Sequence, residues 1–137
     1  MVAPSPALID FVLANVTVQT NVCSNQRSAR GYALSPRTVP DHNLLLCTRG
    51  RVVWTVADHP IELTPMSLLI VPPDVEHHAT SRTQRVTIHS LHVEAHLPGG
   101  RDLFEVLVFP GIQKIQPRGR QHRFWQGFAA DFDEVGA

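Results

Sequence analysis

The 137-residue chain has no surplus of either charge: 12 Lys and Arg balance 12 Asp and Glu, and no basic tract occurs. That argues against nucleic acid or an anionic membrane as its direct partner. No run of 18 apolar residues is present, so nothing reads as a membrane span. The two cysteines, Cys23 and Cys47, form no CxxC pair, and buried free thiols are expected rather than a disulfide or a metal site. The segment Met1-Val2-Ala3-Pro4-Ser5-Pro6 lacks the charged start and apolar run of a signal peptide. The cytoplasm is therefore the expected location, and the Asn15-Val16-Thr17 sequon carries little weight. A Ser-His-Asp order and a glycine-rich phosphate loop are also absent, and Glu62, Glu76 and Glu94 do not fall at matched positions for an acid/base couple.

What remains is an ordinary globular composition, 43% hydrophobic and 18% charged, which suits one domain. Ser5-Pro6 ahead of Ala7–Leu13 reads as the N-cap and first turn of a short helix, with Leu8, Phe11 and Val12 on one face that should lie on something apolar. After Asn15 the period changes to two. Val16, Val18 and Thr20 alternate with Thr17 and Gln19 as a half-buried strand does. Further strands are expected at Tyr32–Leu34, Asn43–Thr48, Val52–Ala57, Ser67–Val71, Val86–Val93 and Phe104–Phe109. Turn clusters separate them at Thr48–Arg51, Asp58–Pro60, Pro72–Asp74 and Leu97–Gly100. Eleven prolines, mostly at such junctions, exclude long helices there and favour a closed sandwich or barrel. From Gln121 to Val135 the prolines stop. Phe124, Phe128, Phe132 and Val135 recur at helical spacing, which predicts one amphipathic helix whose first use is packing on the barrel.

The stretch Met66–His77, with Pro72-Pro73-Asp74 before the histidine, resembles the second cupin motif, with Met66 and Asp74 where that motif has glycines. Gly50 matches the glycine that closes the first cupin motif, and fifteen residues separate it from Met66, as in compact bacterial cupins. Counted back from Gly50, the position of the metal-binding glutamate is Asn43, and the two histidine positions fall near Arg37 and Val39. None of these suits zinc, iron or manganese. His42 is one residue out of phase, and strand alternation would turn it outward.

A closer resemblance is to the N-terminal sensor domain of AraC-type transcription regulators. It rests on Arg37, Asp41-His42-Asn43-Leu44-Leu45-Leu46, Gly50-Arg51-Val52-Val53-Trp54, Leu63–Pro73, His77 and Ser90-Leu91-His92-Val93, and covers residues 30–95. The resemblance implies an all-β, cupin-like double-stranded β-helix, a jelly-roll barrel with a short N-terminal helix and a C-terminal amphipathic helix. The division expected is an arm over 1–15, the ligand-binding barrel over 16–117, and the start of a dimerisation region over 118–137. It further implies a small-molecule effector, a homodimer paired through helices such as the one expected at 121–135, and DNA contact only through a helix-turn-helix domain not present in this chain.

The expected ligand-binding residues are Arg37, Asn43, Trp54, His77 and His92, with no cofactor and no catalytic role. Arg37 suits a bidentate grip on a carboxylate or on sugar hydroxyls, against a plain solvated arginine. His77 is the leading candidate, the other reading being a structural histidine at the rim that donates to a backbone carbonyl. His92 shares a face with Ile88 and Ser90, while His89 and Leu91 take the other. Trp54 can stack on a ring ligand or belong to the core. The rival reading is a small metallocupin enzyme, a dioxygenase or isomerase, with a metal on His42, His77 and His92.

Overall fold

The computed structural model describes residues 5–106 and 112–114. Helix α1 (Pro6–Asn15) starts as expected: the Ser5 hydroxyl accepts a hydrogen bond from the Leu8 amide at 3.2 Å, and proline occupies the first turn. Nine strands follow: β1 (Thr17–Ser28), β2 (Ala33–Arg37), β3 (His42–Arg49), β4 (Val52–Val56), β5 (His59–Leu63), β6 (Ser67–Val71), β7 (His77–Ser81), β8 (Val86–His96) and β9 (Ile112–Lys114). One helical turn, α2 (Leu103–Val106), precedes β9.

The strands form two antiparallel sheets, in the orders β1-β8-β3-β6-β9 and β2-β7-β4-β5. Strand alternation decides what lies between them. Leu45, Cys47, Leu69, Val71, Val86 and Ile88 of the first sheet pack on Val52, Trp54, Leu63 and Ala79 of the second, and all ten are buried. The outer face of the first sheet carries a second cluster, Leu46 with Leu68. Of the two cysteines, Cys47 is buried and Cys23 half-buried.

The backbone explains the altered motif. Met66 and Asp74, standing where cupins have glycine, both take left-handed conformations with φ of 66° and 60°. The turn geometry is thus kept without the residue that adopts it most readily. Gly50 is also left-handed, at φ 82°.

Four expectations are corrected. Strand β5 was hidden by Asp58-His59-Pro60 being read as a turn; the turn is the two-residue Ala57-Asp58, both at positive φ, and His59 and Pro60 already pair with Val56 and Thr55. Proline is tolerated there because β5 is an edge strand. Leu103–Val106 is helical where a strand was expected to begin at Phe104, and 107–111 lie outside the described residues. The apolar face of α1 buries only Val12, against Ala95 and Leu103, while Leu8 and Phe11 are exposed. The start of β1 is a strand but not half-buried: Val18 is 57% exposed. There β1 pairs with the end of β8, beyond the first residue of β3, and Val18 is the register partner of Ala95 on the outer face of the first sheet. The helix expected over 121–135, with Phe124, Phe128 and Phe132, lies outside the described residues.

Candidate functional site

One end of the sandwich is apolar inside and the other is polar. Successive inward positions of β3 run Cys47, Leu45, Asn43, and those of β8 run Ile88, Ser90, His92. Asn43 is paired in register with His92 on one side and Val71 on the other. On the facing sheet the corresponding row is Val56, His77 and Arg37. Two connections cross between sheets at this end, residues 38–41 and 72–76, and the Asp74 amide donates to the Val39 carbonyl at 2.8 Å. The fold therefore brings Arg37, Asn43, His77 and His92 to the same end, with Trp54 one step deeper in the core.

Each side chain is held differently. His77 has no exposed surface. Its Nδ1 lies 3.1 Å from the Val75 carbonyl, which can only accept, so Nδ1 carries the proton and Nε2 is left as an acceptor. Arg37, itself exposed, donates from Nε to that Nε2 at 3.4 Å. Burial lowers the His77 pKa below its ordinary 6.5; the Arg37 charge adds to this, against the opposing hydrogen bond to Val75. Both readings of His77 thus hold in one geometry: it is a rim histidine tied to a carbonyl and it positions Arg37.

His92 Nδ1 donates to Asp41 Oδ1 at 2.8 Å, and Asn21 Nδ2 donates to the other carboxylate oxygen at 2.9 Å. Burial pushes the Asp41 carboxyl upward, but the hydrogen bonds from Asn21 and His92 and the His92 charge outweigh it, and the pKa falls below 3.8. Asn43, fully buried, takes a hydrogen bond from Ser90 Oγ at 2.9 Å through one end of its amide. The other end, Nδ2, has no hydrogen-bond partner among the described residues, and neither does Trp54 Nε1. Trp54 is stacked between Tyr32 and His77, with ring centroids 6.0 and 6.3 Å away. It belongs to the core wall, not to an exposed stacking platform.

Asp41, Ser90 and Asn21 complete the site and were not singled out from the sequence. Asp41 was legible in principle: it lies two residues before Asn43, on the same side of the entering chain. Asn21 was not, because its approach to Asp41 depends on how β1 crosses β8.

The residues do not fit a metal ion. Among the described residues no group of three or more His, Cys, Asp or Glu side chains is placed to hold one. His42 pairs with Val93 on the outer face and stacks on Phe104 at 3.8 Å, away from Asn43. The free Nε2 of His77 is covered by a guanidinium, and His92 spends Nδ1 on Asp41. The triad of His42, His77 and His92 is therefore not assembled in this structure.

A family model described as an AraC-like ligand binding domain matches residues 20–99, from within β1 through the end of β8. The chain belongs to this family. The match makes residues 20–99 a ligand-binding domain of the AraC-like kind. No curated protein matches the chain. Among solved structures, a cupin superfamily protein from Desulfitobacterium hafniense is similar at 23% identity over 56% of this chain and 75% of that one, with a TM-score of 0.48. KdgF from Halomonas sp. is similar at 13% identity over 57% and 77%, TM-score 0.46. A salicylate 1,2-dioxygenase variant from Pseudoaminobacter salicylatoxidans is similar at 14% identity over 84% and 42%, TM-score 0.49.

The protonation states carry a prediction. His77 and the half-buried His42 both have pKa values lowered by burial, so the unfolded chain binds more protons than the folded one below the unfolded value. Their contribution to stability is present above about pH 6.5 and is lost as the pH falls below it. The lowered Asp41 pKa gives a second loss, in the carboxylate range. Urea midpoints should thus decline from about pH 7.5 to about pH 5.5, and His77→Gln should flatten that segment while leaving the carboxylate phase in place. An unchanged slope in His77→Gln would mean that the imidazole is not held neutral.

Proposed function

We propose that this chain is the effector-binding and dimerisation half of an AraC-type transcriptional regulator, and that its effector is a small organic molecule carrying a carboxylate or a comparable acceptor-rich group. The observation that carries this reading is a set of hydrogen-bond donors on residues that share one end of the sandwich. Among the described residues the fully buried Asn43 amide has no partner for Nδ2, Trp54 Nε1 has none either, and the exposed Arg37 side chain lies at the same end. A buried amide left without a partner costs about 1–3 kcal/mol, so a site that keeps one gains by meeting an acceptor. Arg37 supplies the charge that a carboxylate needs, and His77 ties its Nε. His92, locked by Asp41, borders Asn43 in register and completes the ligand shell.

In this reading residues 1–15 are an arm, 16–117 the ligand-binding barrel, and 118–137 the beginning of a dimerisation region. The protein works in the cytoplasm without catalysis and without a cofactor. Ligand binding biases two arrangements of a homodimer by its different affinity for each, and DNA is contacted through an attached helix-turn-helix domain.

A thermal-shift screen of sugars, aromatic acids and amino-acid derivatives tests the assignment. A carboxylate-bearing compound should raise Tm, and Arg37→Ala should weaken its binding by about tenfold, the worth of one charge-assisted hydrogen bond. Failure of every class to stabilise the protein would remove the sensor reading.

A further inference from the structure

The zero net charge conceals an uneven distribution. By strand register, β1 and β3 end, and β8 begins, at the end of the sandwich opposite the proposed effector site. Arg27, Arg30, Arg49, Arg51, Arg82 and Arg85 all fall at or just beyond these strand ends. The carboxylate there among the described residues is Glu62, held by Arg51 at 2.5 Å and approached by Arg82 at 4.0 Å. Asp41, Asp74, Glu76, Glu94 and Asp102 lie at the other end. Among the described residues, basic side chains therefore outnumber acidic ones at this pole.

Within that pole a cleft of about 260 Å³ is lined by Arg27, Ser28, Arg49, Arg85 and Thr87 together with Ala29 and Val86. Its geometry follows from pairing. Thr87 of β8 is the register partner of both Arg27 and Arg49, so the three stand abreast across β1, β8 and β3 with a hydroxyl between two guanidinium stems. Arg85 enters from the chain just before β8. Arg49 and Arg85 make no ion pair among the described residues.

We propose that this cleft is an oxyanion site that takes a small phosphoryl compound, at the opposite pole from the effector site and independent of it. The Arg49 and Arg85 guanidiniums sharing one cleft repel each other, and a dianion between them relieves that repulsion while accepting charge-assisted hydrogen bonds. The number of donors in the lining favours a tetrahedral oxyanion over a planar carboxylate. A carboxylate satisfies one arginine fork in its plane, whereas a phosphoryl group carries enough oxygens to serve Arg49, Arg85 and the neighbouring hydroxyls at once. The hydroxyls of Ser28 and Thr87 supply neutral donors beside the charges.

Isothermal titration of the chain with pyrophosphate, and separately with inorganic phosphate, tests the site at low ionic strength, where the interaction is least screened. Saturable binding is expected, with the Ser28 and Thr87 amide resonances shifting on titration. Arg49→Gln with Arg85→Gln should weaken it by about tenfold or more, the worth of a charged hydrogen bond. The charge-matched pair Arg51→Gln with Arg82→Gln, at the same pole but outside the cleft, should leave affinity within about threefold, since distant exposed charges contribute little. All four side chains are exposed, and the double variants should fold as the parent does. Absence of saturable binding at millimolar anion overturns the proposal, as does an equal loss in both double variants, which would reduce the effect to a general field. A short DNA duplex that binds through the same two arginines more tightly than pyrophosphate would also overturn it.

Discussion

Gly50→Ala should cost about 3 kcal/mol of folding stability, the sum of about 1–2 for a left-handed side-chain-bearing residue and about 1–3 for displaced neighbours. Gly50 sits in the β3–β4 hairpin at φ 82°. A Cβ there would overlap the Arg85 carbonyl oxygen and stand 2.7 Å from Thr83 Oγ1 and 3.1 Å from Val86 Cγ2. The first obstacle is backbone at the entry to β8, a strand hydrogen-bonded on both sides, and it cannot swing aside as a side-chain tip would. The threonine cannot yield freely either, because its hydroxyl accepts from the Arg51 amide at 3.0 Å and lies 3.2 Å from the Arg85 carbonyl. Two other glycines separate the contributions. Gly99 and Gly100 are equally left-handed, at 88° and 83°, but a Cβ at either meets nothing within 4 Å. Alanine at Gly99 should therefore show the conformational cost alone, about 1 kcal/mol. Urea denaturation of the two variants checks this: a Gly50→Ala midpoint no lower than that of Gly99→Ala would show that the hairpin does not press on the β8 entry.

That glycine illustrates what was readable beforehand and what was not. Its place at the close of a cupin-like motif was legible because hairpins of this kind need a left-handed residue. The same rule made Met66 and Asp74 look like departures, and only the backbone shows that both positions keep the left-handed geometry with side chains attached. Alternation correctly put His92 with Ile88 and Ser90 and turned His42 outward, since a period of two survives any detail of packing. It failed for Val18, because a period states which residues share a face and says nothing of whether another layer covers that face. It failed for β5 because His59 and Pro60 follow a turn only two residues long, and proline is costly in central strands but not at an edge. Within the site, single residues were legible by type and position. The couplings between them were not: the Asp41–His92 pair joins residues 51 apart in sequence, and the Asn43–Ser90 pair residues 47 apart. Such contacts depend on strand order, which composition and spacing do not specify.

The Asn43–Ser90 pair offers the sharpest separation of stability from function. Asn43 to leucine with Ser90 to alanine should leave the protein as stable as the parent or more so, while reducing affinity for the compound found in the thermal-shift screen by about a hundredfold. The stability half follows from the unequal costs of buried polar groups. The single hydrogen bond at 2.9 Å contributes about 1 kcal/mol net, whereas the unpartnered amide end costs about 1–3 kcal/mol without ligand. Replacing both partners removes the bond and the penalty together, and leucine is close enough in shape to asparagine to sit beside Val71 in the central strand. Ser90→Ala alone should destabilise, because it strips the amide of its remaining hydrogen bond while leaving it buried. The affinity half follows from the same amide: a site built to bond an acceptor loses about 3 kcal/mol when its buried donor is replaced by hydrocarbon, near a hundredfold in Kd. Calorimetric titration and urea denaturation of the double variant read the two halves separately. If the double variant instead unfolds at distinctly lower urea and keeps its ligand affinity, the amide is a structural tie between β3 and β8, and the donors at this end serve the fold alone. The combination of unchanged or raised stability with lost binding can arise only if Asn43 is retained at a cost to the empty protein for the sake of what enters it.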